Sequence, residues 1–345
     1  MKRRIFITGT SGFIGFHLAR LLLESGWDVH GFDGMTDYYD VGLKEARRAA
    51  LRQHAGFADT EAMLEDAPTV LQAAHTARPD VIVHLAAQAG VRYSLEAPGA
   101  YVSSNINGTF HVIEAARELG VTHLLMASTS SVYGAETDMP FRESMKADTP
   151  LTIYAATKKA TEAMGHSYAH LHGLPTTMFR FFTVYGEWGR PDMAYFKFAQ
   201  AIRAGRSIDV YNHGEMWRDF TYVGDLVRAI ALLIDAVPPA PDAGVPAIPG
   251  DSLSQAAPFR VVNIGNNSSV KLTDFISALE RALGARAQLN MMEMQVGDVP
   301  ATWADASLLK ELTGYAPETS VADGLSAFAR WYDEVYSPTA VTPSA

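Results

Sequence analysis

The chain has 345 residues, 48% hydrophobic and 19% charged, a composition suited to a globular protein with a large core. A formal net charge of −10 argues against a general nucleic-acid binder, which needs a basic face, yet leaves room for a local anion site. With no cysteine there is neither a disulfide framework nor a thiolate metal site, and no metal centre is expected.

In chain order, Met1-Lys2-Arg3-Arg4 is followed by an apolar run that stops at Thr8-Gly9, too short for a secretory leader. No run approaches ~18 apolar residues, so no membrane span is expected and the chain is read as cytoplasmic. Residues 4–8 read as a buried strand. Residues 13–25 read as a helix, with Ile14, Leu18, Leu21 and Leu22 at helical spacing and Gly26 as its stop. A second strand covers 27–32. The alternation continues with a helix at 70–76, a strand at 81–86, a helix at 100–119, a strand at 121–127, a long helix at 154–172 and a strand at 176–182. Continuous apolar strands between helices predict an α/β fold with a doubly wound parallel sheet covered on both faces. Beyond Phe182 the chain becomes dense in aromatics, Met, Gly and Arg. Residues 237–258, rich in Pro, Ala, Gly and Asp, read as a flexible insertion. The expected division is a dinucleotide-binding domain at 1–182, with returns near 219–236 and 259–265. A smaller C-terminal α/β lobe takes 183–218 and 266–336.

Gly9, Gly12 and Gly15 sit between the first strand and first helix. Such glycines allow the turn, close approach to a pyrophosphate and tight helix packing, while Phe13 and Ile14 begin a helix whose free N–H groups face the phosphates. Asp33 follows the second strand at about the spacing expected for an acid that binds the adenosine ribose. Its charge would repel a 2′-phosphate, so NAD is favoured over NADP. The G-x-x-G-x-x-G spacing resembles the extended short-chain dehydrogenase/reductase superfamily, a Rossmann fold. That resemblance implies that Leu85, Ala86 and Ala87 pack against the dinucleotide and that Asp59 lies near the adenine.

Tyr154 and Lys158 stand four residues apart on the long helix, so both face one way. A free phenol titrates near ~10, roughly three units too high for a neutral-pH base. A cation about 4 Å away supplies a correction of that order. Lys158 and a nicotinamide ring are the candidates. Thr129, with Ser130 as second choice, can hydrogen-bond the same substrate oxygen. Hydride transfer to or from an alcohol follows from the pair taken with the glycine turn.

The segment Ser128-Thr129-Ser130-Ser131-Val132-Tyr133-Gly134 lacks the Asp-Glu pair of the related dehydratases and the Glu of the related decarboxylases. Asp37-Tyr38-Tyr39-Asp40-Val41 with Leu43-Lys44-Glu45-Ala46-Arg47, Tyr154 to Ala160, and Arg180 to Ala194 resemble UDP-glucuronate 4-epimerases over residues 4 to about 335. The chain departs from them at Glu187, usually Pro, and at Gly34, commonly Asn. The resemblance implies epimerisation at C4 through a 4-keto sugar with tightly held NAD. A UDP-glucose/UDP-galactose 4-epimerase is the alternative. Arg190 and Thr183 are expected to hold the sugar carboxylate, with pairing of Arg190 to Asp192 as the competing role. Arg218 is expected to hold the UDP pyrophosphate, Asp298 the uridine ribose and Arg92 the sugar or phosphate, with a structural ion pair as the competing role for Arg92 and Asp298, and Gln295 stands where some relatives carry Arg. The superfamily's four-helix contact implies a homodimer through 100–119 and 154–172. His166, His170 and His172 are expected to be solvated or at an interface.

Overall fold

A computed structural model describes residues 2–246, 248–295 and 299–337. Its main sheet holds seven parallel strands: β1 (Arg4–Thr8), β2 (Asp28–Asp33), β3 (Phe57–Glu61), β4 (Val81–His84), β5 (His123–Thr129), β6 (Thr176–Phe181) and an edge strand, Phe259–Ile264. Their order is Phe259–Ile264, β6, β5, β4, β1, β2, β3. Successive strand residues point to opposite faces, so each apolar run feeds two cores. Ile5, Ile7, Val83 and Leu125 pack with Phe16 and Leu22 of α1 (Phe13–Glu24) and with Leu226 and Ile230 of the helix Val223–Leu233. Phe6, Ile82, Leu124 and Met126 face the other way, against Val70 of α3 (Ala67–Ala77) and Val112 and Ile113 of the helix Thr109–Leu119.

Two elements are absent from the sequence reading. The helix α2 (Val41–Leu51) starts at Asp40, whose carboxylate accepts from Gly42 N, and β3 pairs with β2 in parallel. The 100–119 helix has a finer structure than its periodicity implies. Pro98–Tyr101 is α-helical, Val102–Gly108 winds as a π-helix, and Thr109–Leu119 is α-helical again. The wide turn carries buried Asn105, whose side chain accepts from Gln88 N and donates to Gln88 O and Thr157 Oγ1. A π-turn at that place brings the helix onto the floor of the cleft described below.

Among the described residues, 237–258 carries no helix or strand, but its second half is not loose. Asp251 forms a buried two-pronged ion pair with Arg260, and Ser252 exchanges hydrogen bonds with Val261. His166, half-buried, and His170, exposed, bind Ser254 Oγ and Ala256 O there, so both anchor this segment. His172 is exposed.

Beyond β6, Thr183–Tyr185 pairs in parallel with Phe220–Tyr222. A separate aromatic core forms from Tyr185, Phe196, Phe220, Phe275, Phe328 and Trp331. This packing carries residues 183–193 to the carboxyl ends of the sheet strands.

Candidate active site

The carboxyl ends of β1, β2, β4, β5 and β6 open into a cleft of about 580 Å³. At its start Gly9 adopts φ +82, and a Cβ there would lie 2.8 Å from Ala86 N. A Cβ on Gly15 would fall 2.0 Å from Gly9 O, so only glycine lets α1 pack this closely. Gly12 caps α1 with no side-chain bond and lines the cleft with Phe13, Ile14 and Gly15, so the helix N-terminus faces the cavity. That cradle fits a pyrophosphate. Asp33 is aimed into the same cavity by two main-chain donors, Ser11 N to Oδ2 and Met35 N to Oδ1, both at 2.9 Å. Leu85, Ala86 and Ala87 line the facing wall, their bend held by Leu85 N and Ala86 N donating to Thr8 Oγ1.

Asp59 does not reach the cleft. Its carboxylate is bound by Arg48 Nε at 2.6 Å and Arg52 Nε at 2.8 Å, and these two guanidinium groups, against the opposing effect of burial, hold it below the usual carboxylate range. The residues after β3 that do line the cavity are Met63, Leu64 and Glu65. A Cβ on Gly34 would come within 2.6 Å of Met63 Sδ, so the glycine that replaces the common Asn makes room for this methionine.

Tyr154 and Lys158 project from the helix Ile153–His172, capped by Thr152 Oγ1 on Ala155 N. Both line the cleft, together with Thr129 and Ser130 at the end of β5. Burial raises the Tyr154 phenol, and Thr129 and the Arg190 charge pull it back. Lys158 donates to Ala127 O at 3.1 Å, and burial brings its own pKa down to about 8. Ser128 Oγ donates to Glu162 at 2.6 Å, and Glu162 is gripped by buried Arg180 through two bonds of 2.8 Å. The Lys158 and Glu162 contacts pin the helix to the end of β5 and set Tyr154 against Thr129. Ser131, not singled out in the sequence, accepts from Thr129 and also lines the cavity.

Arg190 holds both positions the sequence left open. It lines the cleft with Thr183, and it is paired through Nε and Nη2 with Asp192, at 3.1 and 2.8 Å. Asp192 accepts in turn from Tyr38 OH at 3.3 Å. Next to this region lies a second cavity of about 260 Å³, sharing Ser130, Ser131 and Thr183 with the first. Arg92, Arg218, Gln295 and Thr302 line it. Arg92 stacks over the Tyr211 ring at 5.2 Å, and Arg218 donates to Trp217 O and Val299 O. Asp298 lies outside the described residues. Among the described residues, the carboxylates lining the larger cleft are Asp33 and Glu65, which follow β2 and β3, and no cluster of His, Asp and Glu fit for a metal ion is present.

The NAD dependent epimerase/dehydratase family matches over residues 5–244. The chain belongs to that family. It is 54% identical over 333 residues to a probable UDP-glucuronate 4-epimerase of Rhizobium meliloti (strain 1021), covering 96% of this chain and 98% of that one. It is similar to the crystal structure of a UDP-glucuronic acid 4-epimerase from Bacillus cereus in complex with UDP-glucuronic acid and NAD. The TM-score is 0.82 at 30% identity, over 97% of this chain and 100% of that one. A UDP-glucose 4-epimerase from Thermotoga maritima with UDP-glucose reaches the same TM-score, 0.82, at 26% identity, over 96% and 99% of the two chains. The glycine cradle and the family agree on the cofactor, NAD.

Proposed function

We propose that the protein interconverts UDP-glucuronate and UDP-galacturonate by NAD-dependent 4-epimerisation through a transient 4-keto sugar. The observation that carries this reading is that Tyr154, Thr129 and Ser130 line the same cavity as Arg190 and Thr183. The lining carboxylates are elsewhere, so no acid stands ready for elimination of water.

Bound NAD supplies the hydride acceptor and donor. Tyr154 takes the proton of the C4 hydroxyl and returns it once the hydride has come back on the opposite face. Thr129 and Ser130 hold the C4 oxygen as charge develops there. The Lys158 ammonium and the Arg190 guanidinium favour the phenolate. Arg190, helped by Thr183, takes the C5 carboxylate with a two-pronged bond. The keto intermediate is a β-keto acid, and a carboxylate kept from rotating out of the sugar plane keeps its CO2. Arg92, Arg218 and Asp298 hold the UDP, so the keto sugar turns over without escaping. In this reading residues 1–182, with the returns near 219–236 and 259–265, bind the dinucleotide. Residues 183–218 and 266–336 bind the UDP-sugar.

Incubation with UDP-glucuronate and no added NAD, followed by NMR, tests the proposal. UDP-galacturonate accumulating to a fixed ratio supports it. UDP-pentose with CO2, or turnover of UDP-glucose alone, refutes it. No helix of the described residues is long and apolar enough to cross a membrane. We place the enzyme in the cytoplasm as a homodimer. Exposed Val102 and Phe110 before and on one helix, and Ile153 and Leu171 on the other, supply an apolar face for a second copy. Light scattering on the purified protein measures the dimer.

A further inference from the structure

Arg190 is held from behind by an acid that the reaction does not use. Asp192 takes its Nε at 3.1 Å and its Nη2 at 2.8 Å and, unlike Arg190, does not line the larger cleft. Oδ2 of Asp192 accepts from both Nη2 and the hydroxyl of Tyr38, the latter at 3.3 Å across 154 residues of chain. Against burial, which would raise it, the Arg190 charge holds Asp192 below the usual carboxylate range. Burial and the Asp192 charge push the Tyr38 phenol up to about 12. At neutral pH a phenol therefore donates to a carboxylate, and that carboxylate clamps a guanidinium.

Tyr38 comes from the other half of the molecule, the segment between β2 and α2. Its ring packs at 5.1 Å on that of Tyr93, beyond the carboxyl end of β4. Its hydroxyl lies 2.3 Å from where a Cβ on Gly90 would fall, and Gly90 adopts φ +100, so glycine leaves the phenol its place. The main chain of the Arg190 loop is tied to the same half. Arg47 of α2, fully buried, donates to Trp188 O at 2.5 Å and to Gly189 O at 3.0 Å. Both the backbone before Arg190 and the far side of its side chain are thus set by residues of the dinucleotide-binding half. A guanidinium on a free chain turns about several bonds, whereas a two-pronged bond to a carboxylate needs its plane fixed. With Asp192 on the Nε side, the end-on Nη1/Nη2 edge is left for the cavity.

We propose that Asp192 and Tyr38 are positioning residues for sugar recognition: Asp192 fixes the plane of Arg190, Tyr38 fixes Asp192, and the preference for a carboxylate-bearing sugar depends on this clamp. The inference rests on the reading that Arg190 binds the C5 carboxylate.

Full-length Tyr38→Phe, Asp192→Asn, Arg190→Ala and the double variant Tyr38→Phe with Arg190→Ala are compared with wild type. The readout is kcat/KM for UDP-glucuronate divided by that for UDP-glucose, with kcat and KM resolved and NAD content measured on the same samples. Loss of one long hydrogen bond in Tyr38→Phe should lower the ratio about fourfold, through a higher KM for UDP-glucuronate and with NAD retained. Asp192→Asn should lower it as well. In the Arg190→Ala background Tyr38→Phe should leave the ratio where Arg190→Ala alone puts it, because nothing remains to be positioned. An unchanged ratio in Tyr38→Phe, where Arg190→Ala lowers it, overturns this inference alone. So does a further fall in the double variant, which would mean that Tyr38 acts elsewhere. So does a ratio that rises in Asp192→Asn, the result if Asp192 merely weakens the charge of Arg190. An unchanged ratio in Arg190→Ala overturns the inference and the reading beneath it together.

Discussion

Replacing Arg190 is the sharpest probe of the carboxylate site. Its side chain is 22% exposed, and Asp192 takes Nε and one Nη2 proton, leaving the end-on Nη1/Nη2 edge for a substrate carboxylate. Hydrogen bonds to charged groups contribute about 1.5 to 3 kcal/mol each. Partial exposure argues for the lower figure, so two prongs are worth about 3 kcal/mol. At 1.4 kcal/mol per factor of ten, Arg190→Ala should lower kcat/KM for UDP-glucuronate about 150-fold. Arg190→Lys, with one prong, should lose about half that free energy, roughly 12-fold. The assay is kcat/KM for UDP-glucuronate divided by that for UDP-glucose, because loss of the Asp192 partner and any shift of the loop affect both sugars. If both fall together and the ratio stays put, Arg190 does not read the carboxylate. If the Arg190→Ala protein also yields UDP-pentose from UDP-glucuronate, the same side chain restrains CO2 loss.

Tyr154→Phe should lower kcat by roughly 10³ to 10⁴ while leaving NAD bound, as measured by turnover and by nucleotide content of the same sample. Gly15→Ala places a Cβ 2.0 Å from Gly9 O and should both lower the melting temperature and release NAD. Lys158→Met should abolish turnover yet raise the melting temperature of nucleotide-free protein. Burial lowers this lysine from 10.5 to about 8, so below pH 8 the fold carries a penalty of roughly 3 kcal/mol that methionine removes. Between pH 8 and 10.5 the unfolded chain keeps a proton that the folded one has lost, so the wild-type deficit shrinks as pH rises. Glu143, raised from 4.5 to about 7 by burial, has the opposite sign. From pH 4.5 to 7 the folded state keeps a proton that the unfolded state sheds, so stability falls as pH rises, and Glu143→Gln should flatten that slope in denaturant titrations.

The parallel sheet and the catalytic pair are readable in the sequence because periodicity and spacing are local. β1, β4 and β5 are continuous apolar runs, and Tyr154 and Lys158 share a helix face by arithmetic. What escapes is set by tertiary contact. The α2 helix has few apolar positions and is fastened by Arg47 across 141 residues to Trp188, so hydrophobic spacing does not reveal it. Asp59 looks like a ligand until Arg48 and Arg52 fold back onto it from the preceding helix. The anchoring of 251–257 by His166 and His170 joins segments over 80 residues apart, and composition alone reads the stretch as loose.

The buried cations divide by what answers them. Arg180 lies deep in the fold, and Glu162 answers its charge there, which clamps helix to strand. Lys44 and Lys158 are as buried, 5% and 3% exposed, but have only neutral oxygens as partners. A fold selected for stability alone would have matched or removed both charges. Both stand in the larger cleft, Lys44 on the wall with Asp33 and Gly34, and Lys158 four residues from Tyr154. Arg47, fully buried on neutral oxygens as well, does not line that cleft and instead ties α2 to the glycine turn and to the loop of Trp188 and Gly189.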